Sequence, residues 1–218
     1  MRKNLSFLII VLGLFCFSVL GCGGGPSGVS KANATGGTER FSNQMTGFSF
    51  EKPSGWVYLS AETISENRAN IRLKDKELEN YIRERANVPL VVVAKYQEPY
   101  ETLNPSAQVM FQPLGAAKGI SAIDLLKGTV KVLEGSFADF TLVDGIKEVK
   151  VSGLTGAYVK AKYTVANAEG REFKTISSTW LIPRGDFLFI ISMSAPPEGE
   201  DFSEKEFKEI FSSIKIEK

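Results

Sequence analysis

Cys22 is the side chain best placed for a defined covalent reaction, a thiol at the border between an apolar run, residues 5–20, and a polar body. Other reactive types are scarce. There is no histidine, and the second of the two cysteines, Cys16, lies inside the apolar run. These absences exclude Ser-His-Asp and Cys-His catalysis, Cys/His zinc sites, CxxC redox chemistry and a disulfide framework. Ser212-Ser213-Ile214-Lys215 has the Ser-x-x-Lys spacing of serine acyl-enzymes, but the SDN and KTG motifs that complete such a site are missing, and Ile214 falls on an apolar helical stripe. Arg184-Gly185-Asp186 stands between two strong strand patterns and reads as a hairpin turn. Carboxylates are the remaining acid–base device. Glycoside hydrolysis needs two of them roughly 5 to 9.5 Å apart, and among 25 acidic residues some pair meets that spacing by chance. The sequence therefore nominates no catalytic, cofactor-binding or metal-binding residue.

What precedes Cys22 has the order of a secretory signal: Arg2 and Lys3, then the uncharged run, then Gly21. The run of 16 residues is shorter than the roughly 20 a helix needs to cross a bilayer core. Val19-Leu20-Gly21-Cys22 resembles the lipobox of bacterial lipoproteins, with Leu20 departing from the small residue usual at its position. The resemblance implies that the thiol receives a diacylglyceryl group, that residues 1–21 are removed, and that the new amino terminus is acylated. A covalent lipid on Cys22 is the only non-protein group expected. Each buried methylene contributes about 0.8 kcal/mol, so two or three chains make anchoring effectively permanent. Gly23, rather than aspartate, follows the cysteine. By the family's sorting rule this favours the outer membrane, facing the periplasm, in an organism with two membranes.

Residues 22–39 form the expected tether, a Gly/Ser-rich stretch with hardly an apolar side chain to bury. From Cys22 to Arg40 is 18 residues, which as a flexible coil spans roughly 25 Å. Residues 40–218 are long enough for a single domain with a sizeable core. Without Arg2 and Lys3 the 26 basic residues fall to 24 against 25 acidic ones, a formal charge near −1. That balance steers neither to nucleic acid nor to anionic lipid.

Within the body, Phe48 and Phe50 alternate with polar neighbours, Pro53-Ser54-Gly55 turns the chain, and residues 56–59 begin a second short strand. Residues 74–86 read as a helix capped by Asp75, with Leu78, Tyr81 and Ile82 on one face. Residues 89–96 are an apolar run expected to be covered on both faces. A second helix starts at Ser121, with Asp124 at its third position, Ile120 and Leu125 as a staple, and Leu126, Val130, Leu133 and Phe137 as its stripe. From Phe140 a meander of antiparallel strands follows. Ala157, Val159, Ala161, Tyr163 and Val165 share one face there; Tyr158, Lys160, Lys162 and Thr164 share the other. A last helix carries a capping box, Ser203 with Glu206, a Phe202–Phe207 staple, and a stripe of Phe207, Ile210, Phe211 and Ile214.

The opening Phe48-Ser49-Phe50 through Trp56 and the ending Trp180-Leu181-Ile182 through Phe187-Leu188-Phe189-Ile190-Ile191, then residues 207–214, resemble the PsbP/Mog/LpqN/DcrB superfamily. The resemblance implies an α+β fold, a three-layer α/β/α sandwich on a mostly antiparallel sheet. Six to seven strands and about three helices are expected. Functions in that superfamily diverge, so none transfers, and its metal-related roles in photosystem II find no histidine here. The expected role is a lipid-anchored, non-catalytic cell-envelope protein that binds an envelope partner or supports an assembly. Tyr158, Lys160 and Lys162 are the candidate partner surface. The alternative is a carrier, or a carboxylate-based enzyme, with a pocket for an apolar or carbohydrate ligand between sheet and helices. The partner and the oligomeric state are not encoded in any motif.

Overall fold

The computed structural model describes residues 39–85, 87–199 and 201–217. The expected signal, Cys22 and nearly all of the tether lie outside the described residues. In chain order the elements are β1 (Glu39–Asn43), β2 (Phe48–Lys52), β3 (Val57–Tyr58), α1 (Ala61–Asn70), β4 (Ile71–Arg72), α2 (Lys76–Arg85), β5 (Val91–Ala94) and β6 (Ser106–Pro113). They continue with α3 (Ala122–Ser136), β7 (Ala138–Val151), β8 (Leu154–Asn167), β9 (Glu172–Arg184), β10 (Phe187–Ala195), α4 (Glu204–Ser213) and β11 (Lys215–Ile216).

An eight-stranded antiparallel sheet runs β3-β5-β6-β10-β9-β8, with β4 and β7 both paired to the remaining edge of β8. A separate three-stranded sheet has the order β1-β2-β11. The architecture is the α+β sandwich expected, but larger, with one more helix than the patterning marks and a sheet beyond the main one. The unmarked helix is α1. Its buried residues are Ile64 and Asn67 alone, too few for an apolar stripe, and its clearest local signal is Ser60, whose hydroxyl accepts from the Thr63 N–H.

Alternation divides the main sheet between two cores. Ala157, Val159, Ala161 and Tyr163 of β8 join Leu78 and Ile82 of α2 and Leu125, Leu126, Val130 and Leu133 of α3 on one face. On the other face Trp180, Ile182, Phe189 and Ile191 meet Phe48 and Phe50 of β2 and Ile210 of α4. Strands that are apolar on both sides therefore have cover on both sides.

The helix starts differ in how far they follow their local motifs. Asp75 accepts from the Leu78 N–H, and Ser121 accepts from the Asp124 N–H, as expected. Leu125 of the expected staple is fully buried, whereas Ile120 is more than a third exposed. At α4 the capping box does not form: the Ser203 hydroxyl donates to the Asp201 carbonyl and accepts from Lys95 Nζ, and Glu206 pairs with the same lysine at 3.2 Å. A nearby cation outcompetes the local reciprocal bonds, because a charged partner makes the stronger hydrogen bond.

Candidate functional site

Along β8, the side chains facing α4 change from aromatic to cationic. Tyr158 stacks near Trp180, at 5.0 Å between centroids, and its hydroxyl lies 3.3 Å from Ser178 Oγ. Trp180 in turn stacks on Phe211 of α4 at 4.4 Å. Tyr158 is thus half-buried in the aromatic core, and Trp180 is core as expected. Beyond it Lys160 is half-buried and Lys162 exposed.

The register supplies a third cation. Lys160 lies opposite Ser178, Lys162 opposite Ile176, and Thr164 opposite Lys174 of β9. Lys162 and Lys174 are therefore diagonal neighbours on one face. Sequence reasoning missed Lys174. Its signal was present in the alternation of Lys174, Ile176, Ser178 and Trp180, but pairing it with β8 needs the register. Among the described residues none of Lys160, Lys162 and Lys174 has a carboxylate within 4.0 Å. Lys118, Lys127 and Lys147 each do, at 2.6, 3.3 and 3.3 Å.

Lys162 and Lys174 line an open recess of about 440 Å³, together with Thr164, Asp139 and Thr141 of β7, and Pro197 and Glu198 of the segment after β10. Asp139 adopts φ +53°, the left-handed region uncommon for residues other than glycine. It sits where the β7–β8 register shifts between Ala138 and Thr141. The irregularity brings its carboxylate against Thr164, whose Oγ1 donates to Oδ2 at 3.0 Å. The recess presents ammonium groups on the sheet floor and carboxylates at its margin, an arrangement for recognising charged or hydrogen-bonding groups.

Under α3 the opposite face is closed. Val130, Leu133, Phe137, Val159 and Ala161 surround about 20 Å³ of space, room for roughly one water. An apolar ligand has no chamber there. Among the described residues no group of three or more acidic, histidine or cysteine side chains is arranged to hold a metal ion.

Glu98 is the acid whose environment most resembles that of a proton donor, since burial pushes its carboxyl above the usual range. Asn104 Nδ2 and the Tyr100 N–H already occupy its two oxygens, at 2.5 and 2.9 Å. Nearby, Tyr96 and Tyr100 stack at 4.4 Å, and the Tyr100 hydroxyl donates to Asp201. Burial, then Asp201, raises the Tyr96 hydroxyl to about 12. These bonds fasten the β5–β6 loop to the start of α4. The Arg184-Gly185-Asp186 turn is likewise internal in its contacts: Arg184 donates to the carbonyls of Thr46 and Glu217, and Asp186 pairs with Lys118. Ser212 donates to the Glu209 carbonyl within its own helix.

No protein-family model matches the chain, and no curated protein matches it in sequence. Solved structures do match in fold. Cyanobacterial PsbP (CyanoP) from Synechocystis sp. PCC 6803 superposes with a TM-score of 0.51 at 15% identity, over 88% of this chain and 100% of the other. LpqN of Mycobacterium tuberculosis, described as involved in cell envelope biogenesis, gives a TM-score of 0.49 at 10% identity, over 83% of this chain and 90% of that one. The body is PsbP-like in fold.

Proposed function

We propose that the protein is a lipid-anchored, non-catalytic component of the bacterial cell envelope that binds a partner protein through the Lys160–Lys162–Lys174 end of its sheet. The observation that carries this reading is the set of three lysines on one sheet face with no counter-ion among the described residues, Lys162 and Lys174 of which line an open recess. Lysine ammoniums in that position supply long-range attraction and orientation to a partner. The PsbP-like fold, shared with an envelope protein, fits such a role without specifying it. Tyr158 contributes by holding the floor rigid rather than as a contact. The lipid on Cys22 keeps the body within a tether length of the membrane, the outer one in a two-membrane cell.

The test is photocrosslinking in intact cells from a photoreactive residue at position 162 or 174, with position 205 on α4 as the comparison. A discrete protein adduct from the first two, lost on Lys160→Glu, supports the reading. Adducts no different from those at position 205 overturn it. Anchoring is tested by Cys22→Ala: unchanged processing and full membrane partition in the variant would remove the lipid from the account. A carrier for a polar ligand such as a carbohydrate is the second reading, favoured by a recess volume within the roughly 300–1,000 Å³ of small-molecule sites. A sugar or other small molecule that co-purifies and is released by Thr164→Val would point to it.

A further inference from the structure

At the other end of the main sheet, apolar side chains stand in water. Met45, in the β1–β2 turn, is 92% exposed, Val88, just before β5, 69%, Phe187, at the start of β10, 41%, and Ile120, just before α3, 38%. Strand pairing puts Phe187 at this end and leads β5 back toward it from Val88, and contacts of Arg184 and Asp186 bring the loops of Met45 and Ile120 to the same end. Phe187 lies opposite Pro113 at the end of β6 and opposite Arg184 at the end of β9, and Val91 at the start of β5 lies opposite Val109 of β6. The loops are bound to one another. Arg184 donates to the Thr46 carbonyl beside Met45 and lies over the rings of Phe111 and Phe189, and Phe111 stacks on Phe187 at 4.8 Å. Asp186 accepts from the Leu114 N–H and pairs with Lys118, two residues before Ile120.

We infer that this end is where the body rests on the bilayer, with Met45, Val88, Ile120 and Phe187 entering the lipid interface. Single exposed apolar residues are ordinary, but several gathered at one end mark an interaction site. These four stand at separate turns and strand starts, and none lines the recesses described above. A lipid interface accepts such projections because it needs no complementary shape, only apolar area to bury. Lys118, Arg184 and Asp186 of this end turn inward, to each other and to backbone carbonyls, while Lys150 and Lys215 stand exposed beside it.

The proposal rests on the lipidation of Cys22. The 18 residues from Cys22 to Arg40 span roughly 25 Å as a coil. Arg40 pairs with Glu51, three positions along β1 from Asn43 at its turn, or about 10 Å from this end. The body can therefore settle on these tips with the tether near its relaxed length. Eight strand positions separate Arg184, opposite Phe187, from Ile176, opposite Lys162. The lysine recess then stands about 27 Å above the interface, facing away from the membrane.

The full-length, lipidated protein in phosphatidylethanolamine/phosphatidylglycerol vesicles provides the test. An environment-sensitive fluorophore is attached in turn to Met45→Cys, Val88→Cys and Lys162→Cys. The inference expects blue-shifted emission at positions 45 and 88 and quenching by doxyl-labelled lipids several-fold stronger than at 162. Water-like emission at all three from protein that floats with the vesicles overturns the inference and leaves the anchor standing. Protein that fails to float removes the anchor and the inference together. A photoreactive residue at 45 that captures protein rather than lipid in cells also overturns it, in favour of a protein interface.

Discussion

The two ends of the main sheet are built from the same strands and carry opposite surfaces. At the Phe187 end four apolar side chains are exposed, and the cations closest to them are engaged: Lys118 by Asp186, Arg184 by two carbonyls and two rings. At the Lys162 end Lys160, Lys162 and Lys174 have no carboxylate within 4.0 Å among the described residues, Ile176 is buried, and Leu142 and Val143 of β7 are exposed. Between the ends, Trp56, Tyr158, Trp180, Phe207 and Phe211 fill the space under α4. One sheet can thus meet an apolar phase at one end and a charged one at the other.

The largest way to break this comparison is to remove the middle. Trp180→Ala strips the ring that stacks on Phe211 and Tyr158, and should cost about 3–5 kcal/mol, read as a lower denaturation midpoint in urea with both ends affected together. Gly156 is the next lever. A Cβ there would stand 2.5 Å from the Leu181 carbonyl oxygen and also meet Ile182 Cδ1. Gly156→Ala should therefore destabilise by about 1–3 kcal/mol through strand separation, in the same urea titration.

Glu79 sharpens the comparison from the Lys162 end, where the strand that precedes α2 pairs with Ala166 and Asn167. Unlike Lys160, Lys162 and Lys174, which have no carboxylate within 4.0 Å among the described residues, this carboxylate is only 5% exposed and fully engaged, by Lys76, by Arg83 and by the Leu73 N–H, at 2.8–2.9 Å. Burial alone would raise it, but the bonds from Lys76 and the Leu73 N–H, with the charges of Lys76 and Arg72, outweigh burial and hold it below the usual carboxylate range. A lowered folded pKa means the stabilisation is present above the unfolded value and lost as pH falls through the folded one. The urea midpoint should accordingly hold through neutral pH and decline in acid below about pH 4.5, near the unfolded carboxyl value. Glu79→Gln should lower stability at pH 7 by about 1–3 kcal/mol and flatten that acid decline. An unchanged acid limb would show that Glu79 is not its source.

The smallest stability effect belongs to the surface with the largest proposed functional one. Lys162→Glu with Lys174→Glu should leave the urea midpoint within about 0.5 kcal/mol, since neither side chain holds the fold, and should abolish adduct formation from position 160 in cells. A protein that keeps its adducts after this reversal does not bind through the lysines.

Much of this molecule is visible one residue at a time. The alternation in residues 157–165 sorts β8 onto its two faces without error, because in a strand the side-chain period is set by the backbone. The stripes of α2, α3 and α4 are legible for the same reason at the helical period. Motifs that depend on who else is nearby fare worse. The α4 capping box yields to Lys95, 108 residues away from Ser203, and α1 has too few apolar positions to show itself. Tyr158 could be grouped with the lysines on alternation alone, but its burial is set by Trp180 and α4.

What the sequence determined by itself is local: an apolar run before Cys22, a Gly/Ser-rich stretch after it, no histidine, and elements whose periodicity names their faces. Which residues gather at each end was decided only by tertiary structure. Lys174 joins Lys162 through antiparallel register between strands distant in sequence, and Arg184 and Asp186 contacts bring the loops of Met45 and Ile120 to the Phe187 end. Periodicity is a property of one strand; register is fixed by burying two cores at once, and a slip of one residue would exchange them.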